Sequence, residues 1–431
     1  MTDTIQELSA EQEPASGAGV ADMSPPSPSS PAPTSTSPAH PPPAARPTQE
    51  GPQGLRFDFN QGCRVTVPPG TWRVLIRDLD TGNILFESHK GGTCVLSTKR
   101  YYVRFGVEAW RDGERVFVHE TNLTDREVLI QFPVGTLGDL IGWFPYAVKF
   151  QEKHGCRLTC AMGPALIEIF KDAYPDIAFV LHEDIVPEAY YATYSIGLFF
   201  DDHENIWQPV DFRHVGLHRT AGYILGVDPA EKPPRIALPP GLRPITGRYV
   251  CIAVQSSSGA KYWNNPHGWR DVIRFLKSMG YRVVCIDKTA VHGADLVWHH
   301  IPHGAEDETG DRPLLERARW LKHADLFIGL SSGLSWLAWA MGTPVVMISG
   351  FTTADNEFKA AGRVINYHTC NGCWNDVRVR FDHANFFWCP RHANTPRQFE
   401  CTRLITGDHV IDVIKTVIGQ HGSPRAQNES Q

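Results

Sequence analysis

Val128-Leu-Ile-Gln-Phe-Pro133, followed at once by Gly135-Thr-Leu-Gly-Asp139, is the stretch that decides the fold class of this 431-residue chain. Residues 128–133 form an apolar run of strand length, and the glycine-bearing turn opens into an apolar helix near 139–151. Arg157-Leu-Thr-Cys160 and Ile177-Ala-Phe-Val-Leu181 supply further strands with a helical stretch between them. The order predicts a βαβ unit and hence a parallel sheet. A Pro-rich connection at 228–245 leads to a second unit of the same kind. There Tyr249-Val-Cys-Ile-Ala-Val254 and Tyr281-Arg-Val-Val-Cys-Ile286 flank a helix near 268–279. Leu326-Phe-Ile-Gly329, a helix from Leu334 and Pro344-Val-Val-Met-Ile348 follow. Two open α/β domains about a linker predict a ligand in the cleft between them.

Upstream, residues from Leu55 to about Thr124 read as all-β. Phe57-Asp-Phe59, Arg64-Val-Thr-Val67 and Trp72-Arg-Val-Leu-Ile76 are separated by turn clusters such as Asp80-Thr-Gly-Asn83 and Arg111-Asp-Gly-Glu114. A small sandwich or barrel with a recognition or assembly role is expected. The first fifty residues are rich in Pro, Ser, Ala and Thr and nearly devoid of large apolar groups. They bury too little surface to offset chain entropy, so a disordered leader is expected, with no basic-then-apolar signal peptide. The uncharged run from Leu326 to Gly350 is punctuated by Gly333, Gly342 and Pro344, which fits strand, helix and strand rather than a membrane span. The net charge of -6 offers no basic field for nucleic acid.

Near the C-terminus, Cys370, Cys373, Cys389 and Cys401 follow the pattern C-x2-C-x15-C-x11-C. The first pair has metal-knuckle spacing, and four soft thiolates suit tetrahedral zinc or a single iron. Two disulfides are the alternative, disfavoured by the lack of a secretion signal. The six other cysteines read as buried free thiols in a reducing cytoplasm.

Three loops carry candidate chemistry. Asp139 stands where a strand ends and a helix begins; it is either a general base facing the cleft or a carboxylate supporting the helix start. Ser331-Ser-Gly-Leu-Ser335 precedes a helix and is either a phosphate site made of free N–H groups and hydroxyls, or a serine cap with a packing glycine. Gln255-Ser-Ser-Ser-Gly-Ala-Lys261 follows the first strand of the second unit, and its lysine either neutralises a departing diphosphate or is a surface charge. Glu306 and Asp307 either accept sugar hydroxyls or are solvated loop charges.

Taken together, Leu123-Thr-Asp-Arg-Glu-Val-Leu-Ile130, Gly135-Thr-Leu-Gly-Asp139, Ala260-Lys-Tyr-Trp-Asn-Asn265, Gly333-Leu-Ser-Trp-Leu-Ala-Trp-Ala340 and the cysteine segment resemble the bacterial autotransporter heptosyltransferases. These are relatives of the lipopolysaccharide heptosyltransferases of glycosyltransferase family 9. The resemblance covers roughly residues 53–415. It implies an α/β chain of GT-B type, two Rossmann-like domains facing a cleft, with an N-terminal all-β domain and a C-terminal four-cysteine metal finger. The expected boundaries are 1–52 leader, 53–124 β domain, 125–230 first (acceptor-side) domain, 245–368 second (ADP-heptose) domain, 369–405 finger and 406–431 C-terminal helix and tail.

The implied activity is transfer of heptose from ADP-heptose to serines of an autotransporter passenger, with inversion, in the cytoplasm before export. The implied catalytic residues are Asp139 as base and Lys261. Donor contacts would come from Thr136, Leu137, Gly138, Gln255, Ser257, Glu306, Ser332, Gly333, Leu334 and Ser335. The four cysteines would hold one iron ion, Fe3+ by resemblance, with zinc the alternative. A large homo-oligomer without a transmembrane segment is implied. The alternatives are a lipopolysaccharide-core heptosyltransferase and a non-catalytic, metal-stabilised assembly module. The Pro-rich leader has no counterpart in the resemblance.

Overall fold

The computed structural model describes residues 40–295 and 297–421. The expected leader up to residue 39, and the end of the tail from residue 422, lie outside them. Leu326–Leu330, Val345–Ile348 and Tyr249–Ile252 are buried along their whole length, as apolar runs covered on both faces must be. They form the middle of a six-stranded sheet whose order is 306–307, 282–285, 249–252, 326–330, 345–348, 362–364, with every pair parallel. Counted along the chain, and setting aside the separate 291–300 hairpin, this is the 3-2-1-4-5-6 order of a doubly wound nucleotide-binding fold. Its switch point lies between Tyr249–Ile252 and Leu326–Leu330.

The first sheet repeats the logic. Ala178–Val180, Arg157–Ala161, Glu127–Gln131 and Ala192–Ser195 run parallel in that order, so its switch point lies between Glu127–Gln131 and Ala192–Ser195. The Leu137–His154 helix follows the first of these strands and ends at Gly155, whose φ of 59° supplies the left-handed stop. Among the described residues no helix is long and apolar enough to cross a membrane.

The β segment expected at 53–124 is shared between two sheets. Arg56–Asn60 pairs in parallel with Ala192–Ser195, and Arg64–Val67 and Thr93–Leu96 continue the same eight-stranded sheet. Only Trp72–Asp78, Ile84–Ser88, Phe105–Arg111 and Glu114–Glu120 form a sheet of their own, antiparallel throughout. The reason lies in Asp58 and Asn60. Their alternation with Phe57 and Phe59 suggests a strand wet on one face, yet both polar side chains are buried. Arg64 binds both oxygens of Asp58 at 2.6 and 2.7 Å, and Asn60 donates to Asp58 at 2.8 Å and to the Tyr190 carbonyl at 2.9 Å. Thr193 closes the network by donating to Asn60 at 2.7 Å. A satisfied polar network thus joins the β segment to the parallel sheet.

The leader boundary at 52 also moves. Ala44 is buried and its carbonyl accepts from Arg64 at 2.6 Å, while Gln49–Glu50 adds a short strand to Arg56–Asn60. These residues have no core of their own; they serve by offering carbonyls to arginines of the sheet. At the other end, Gly407–His421 forms the expected C-terminal helix.

Arg64→Leu strands a buried carboxylate and is expected to cost about 3–5 kcal/mol in chemical denaturation. Asp311→Ala, which breaks the exposed pair with Lys288 (3.2 Å), is expected to change stability by less than about 1 kcal/mol.

Candidate active site

Both switch points open toward one cavity of about 480 Å3. The loop after Glu127–Gln131 brings Gly135 through Asp139 to its wall. The loop after Tyr249–Ile252 brings Gln255, Ser256, Ser257 and Lys261, and the loop after Leu326–Leu330 brings Ser331 through Leu334. The two domains meet directly at this place. A Cβ at Gly138 would lie 2.6 Å from Cδ1 of Trp336, one at Gly142 2.8 Å from Cζ3 of the same ring, and one at Gly333 3.0 Å from Cβ of Leu137. Glycine is therefore required by close approach of the helices at Leu137–His154 and Gly333–Ala340.

Asp139 occupies the third position of its helix, behind Thr136 at the cap, and accepts a hydrogen bond from the Thr136 side chain. The helix-start reading and the cleft-facing reading therefore both hold for its position. Burial is the largest influence and pushes its carboxyl above the ordinary aspartate range, aided by Glu357 and opposed by Lys261 and Thr136. Lys261 ends the short 3-10 turn Gly259–Lys261, with the Ser258 hydroxyl accepting from the Ala260 N–H. Burial pushes its ammonium below the ordinary lysine range, while Asp139 and Glu357 pull the other way. Its Nζ lies 5.3 Å from the ring centre of Phe351 and 5.9 Å from that of Trp374. Asp139 and Lys261 are electrostatic neighbours, and among the described residues no ion pair joins them.

Of the remaining expected donor residues, Thr136, Leu137, Gly138, Gln255, Ser257, Ser332, Gly333 and Leu334 line the cavity. Gln255 is held by a reciprocal pair with Thr289, donating to its carbonyl at 2.7 Å and accepting from its hydroxyl at 3.0 Å. Two residues do not belong. Glu306 lies on the edge strand, two strands from the switch point, where Arg282 binds it at 2.8 Å. Ser335 is fully buried and donates to the Leu330 carbonyl at 2.5 Å, so it fastens strand to helix and does not reach a ligand.

Other residues at the cavity went unnoticed in the sequence. Glu357, nearly fully buried, pairs with Arg363 at 2.8 Å and accepts from Asn356 at 3.0 Å and from the Ser331 hydroxyl. Although burial opposes its ionisation, Arg363 and these donors hold it below the usual glutamate range. Its signal was a carboxylate in the loop after the fifth strand of a doubly wound sheet. Asp287, at the end of the second strand, accepts from the Val254 N–H at 2.7 Å; burial raises it to about 6. Trp374, Phe381 and His383 reach the cavity from the cysteine segment.

The ten cysteines are all free thiols. Cys370, Cys373 and Cys389 are all electrostatic neighbours of Cys401, and burial and these neighbours push the Cys401 and Cys373 thiols up to about 12. The four thiols influence one another electrostatically, but the group whose donor atoms lie within 4.8 Å of one another among the described residues holds one of them, Cys370. Cys370 also lies beside His392 and Glu400, with ligand atoms within 4.8 Å of one another. Glu400 is already engaged by Arg397 at 2.7 Å and by the Cys370 N–H at 3.1 Å.

Comparison with known proteins accounts for both ends of this arrangement. Residues 51–113 match the family of the glycosyltransferase TibC N-terminal domain, and residues 231–370 match glycosyltransferase family 9 (heptosyltransferase). The chain is 56% identical to autotransporter heptosyltransferase BAHTCr of Citrobacter rodentium, over 85% of this chain and 90% of that one. The crystal structure of the iron-containing dodecameric glycosyltransferase TibC from enterotoxigenic Escherichia coli superposes with a TM-score of 0.84 at 53% identity, over 88% of this chain and 99% of that one. The same fit (TM-score 0.84) is obtained with TibC in complex with ADP-D-beta-D-heptose. Inactive autotransporter heptosyltransferase BimC of Burkholderia thailandensis is 48% identical, over 86% of this chain and 88% of that one. Kinship therefore fixes the family, while activity must be argued from the residues in the cleft: this chain belongs to the autotransporter heptosyltransferases.

Proposed function

We propose that this chain transfers heptose from ADP-heptose to serine hydroxyls of an autotransporter passenger protein, with inversion at the anomeric carbon. The observation that carries this reading is the meeting of Asp139, Lys261 and the Ser332–Gly333 helix start around one cavity. The structure of TibC with ADP-D-beta-D-heptose, at 52% identity, supports the donor. In the reaction the serine oxygen bonds to the anomeric carbon, the bond from that carbon to ADP breaks, and the serine proton passes to Asp139. Electrons of the broken bond leave on the diphosphate, where Lys261 and the free N–H groups of the 333–340 helix stabilise the growing charge. Serine is a weak nucleophile at neutral pH, so a positioned base contributes roughly 10²–10⁴-fold. Fixed donors of this kind supply the stabilisation at the diphosphate from the protein's own groups.

Cys370, Cys373, Cys389 and Cys401 are the proposed ligands of one iron ion, with zinc the competing occupant. The neighbouring thiols and the iron-containing TibC support that set. Bound by these thiolates, the ion would supply a structural cross-link that holds the cysteine segment folded. The β segment and the cysteine segment complete the proposed domain plan, and assembly into a large homo-oligomer is inferred from dodecameric TibC. The free thiols support the proposed cytoplasmic setting.

Co-expression with a passenger fragment and intact-mass measurement is expected to show added heptoses, and an unmodified fragment would overturn the function. Asp139→Asn is expected to lower turnover by about 10²–10⁴-fold with donor binding retained. The pH profile carries the sign of both shifts. Asp139 must be deprotonated to accept a proton, so activity falls as pH drops through its raised pKa, above the usual aspartate range. Lys261 must be protonated, so activity falls again as pH rises through its lowered pKa. Cys373→Ser is expected to lose the stoichiometric iron measured by elemental analysis; full retention would remove that thiol from the ligand set.

A further inference from the structure

We infer that the cysteine segment is a positioning element for Lys261, with Trp374 and Phe351 forming an aromatic cradle under its ammonium group. The inference rests on the proposed role of Lys261 at the departing diphosphate. Among the described residues no carboxylate is bound directly to Lys261; instead its Nζ faces the rings of Phe351 and Trp374, at 5.3 and 5.9 Å. A desolvated ammonium over an aromatic face is held by the ring quadrupole and cannot swing freely.

Those two rings are themselves fixed by the cysteine segment. Phe351, Trp374, Phe381 and Trp388 form one buried cluster, with ring centres 5.0–5.8 Å apart. Trp374 follows Cys373 directly, and Trp388 precedes Cys389. The backbone repeats the connection on both sides of the lysine. On one side the Gly372 N–H donates to the Gly350 carbonyl at 2.9 Å and the Trp374 N–H to the Phe351 carbonyl at 3.0 Å. On the other, the Gly259 N–H donates to the Phe386 carbonyl at 2.8 Å, and Asn264 donates to the Thr402 hydroxyl at 2.9 Å. Residues 370–402 therefore grip both the loop that carries Lys261 and the loop that carries Phe351.

The indole of Trp374 adds a separate observation. It is buried, and its Nε1–H has no hydrogen-bond partner among the described residues. A buried tryptophan normally satisfies that donor. Here the ring is placed for its face toward the cavity and the lysine, at the expense of its N–H.

The test compares Trp374→Leu with Trp374→Phe, following turnover, donor KM, bound iron and acetylation of Lys261 by mass spectrometry, with exposed Lys90 as reference. Trp374→Leu is expected to lower kcat roughly tenfold or more, with donor KM changed less than about threefold, and Trp374→Phe to recover most of the loss. Lys261 acetylation, relative to Lys90, is expected to rise at least about fivefold in the leucine variant. Adding Trp374→Leu to Lys261→Ala is expected to cause little further loss, because the rings act only through the lysine. Should Trp374→Leu lose its iron or fail to fold, Phe351→Leu removes the second ring from outside the cysteine segment and carries the same expectations. Unchanged turnover and unchanged acetylation in the folded variant would overturn the inference, as would losses that multiply in the double variant. A wild-type protein without transfer activity would instead contradict the functional reading, since the acetylation rate reports the cradle directly.

Discussion

Close approach of two helices is the constraint on which the rest depends. Leu137–His154 belongs to the first sheet and Gly333–Ala340 to the second, and they touch where Gly138, Gly142 and Gly333 leave no room for a Cβ. Trp336 fills the seam, flanked by His218, which is itself fully buried. Interiors this dense transmit displacement rather than absorb it. The seam therefore fixes the start of the first helix, with Asp139, against the start of the second, with Ser332 and Gly333. It also sets the distance across which an acceptor and a donor must meet.

Electrostatics at the floor of the cleft follow from that fixed geometry. Asp139, Lys261 and Glu357 are brought together at the cavity wall, where each charge depends on the others. Glu357 is committed to Arg363 and to three neutral donors, so its charge is settled before any substrate arrives. Asp139 and Lys261 are left without a direct partner between them. Burial raises the one pKa and lowers the other, which brings both nearer to neutral pH, as the proposed base and charge-stabilising amine require. The aromatic rings beneath Lys261 hold it without neutralising it, which a carboxylate at contact distance would do.

Much of this was legible in the sequence, for physical reasons that differ by element. Central parallel strands such as Tyr249–Ile252 announce themselves because burial on both faces demands a continuous apolar run. The loops that follow them must reach the carboxyl edge, so Asp139, Lys261 and Gly333 could be placed on one cleft before any coordinates. Phe57-Asp-Phe-Asn60 misled because alternation normally means one wet face, whereas Asp58 and Asn60 are buried in a polar network with residues far along the chain. Glu306 misled in the opposite sense, since an edge strand places it beside Arg282 rather than a ligand. Trp374 and Phe381 were invisible because their reach into the cavity depends on how the loop after Val345–Ile348 and the cysteine segment fold against each other, whereas Glu357 had only its place after the fifth strand as a signal. Local spacing carries no trace of that.

The central claim is that the carboxylate of residue 139 and the amine of residue 261 face opposite sides of one reacting carbon. An experimental structure of the Asp139→Asn protein with ADP-heptose and a serine-containing acceptor peptide tests it most directly. The diphosphate is expected within hydrogen-bond reach of Lys261 Nζ and the Gly333 N–H, with the serine hydroxyl against residue 139. A donor whose anomeric carbon faces away from residue 139, or whose diphosphate lies out of reach of Lys261, would contradict it.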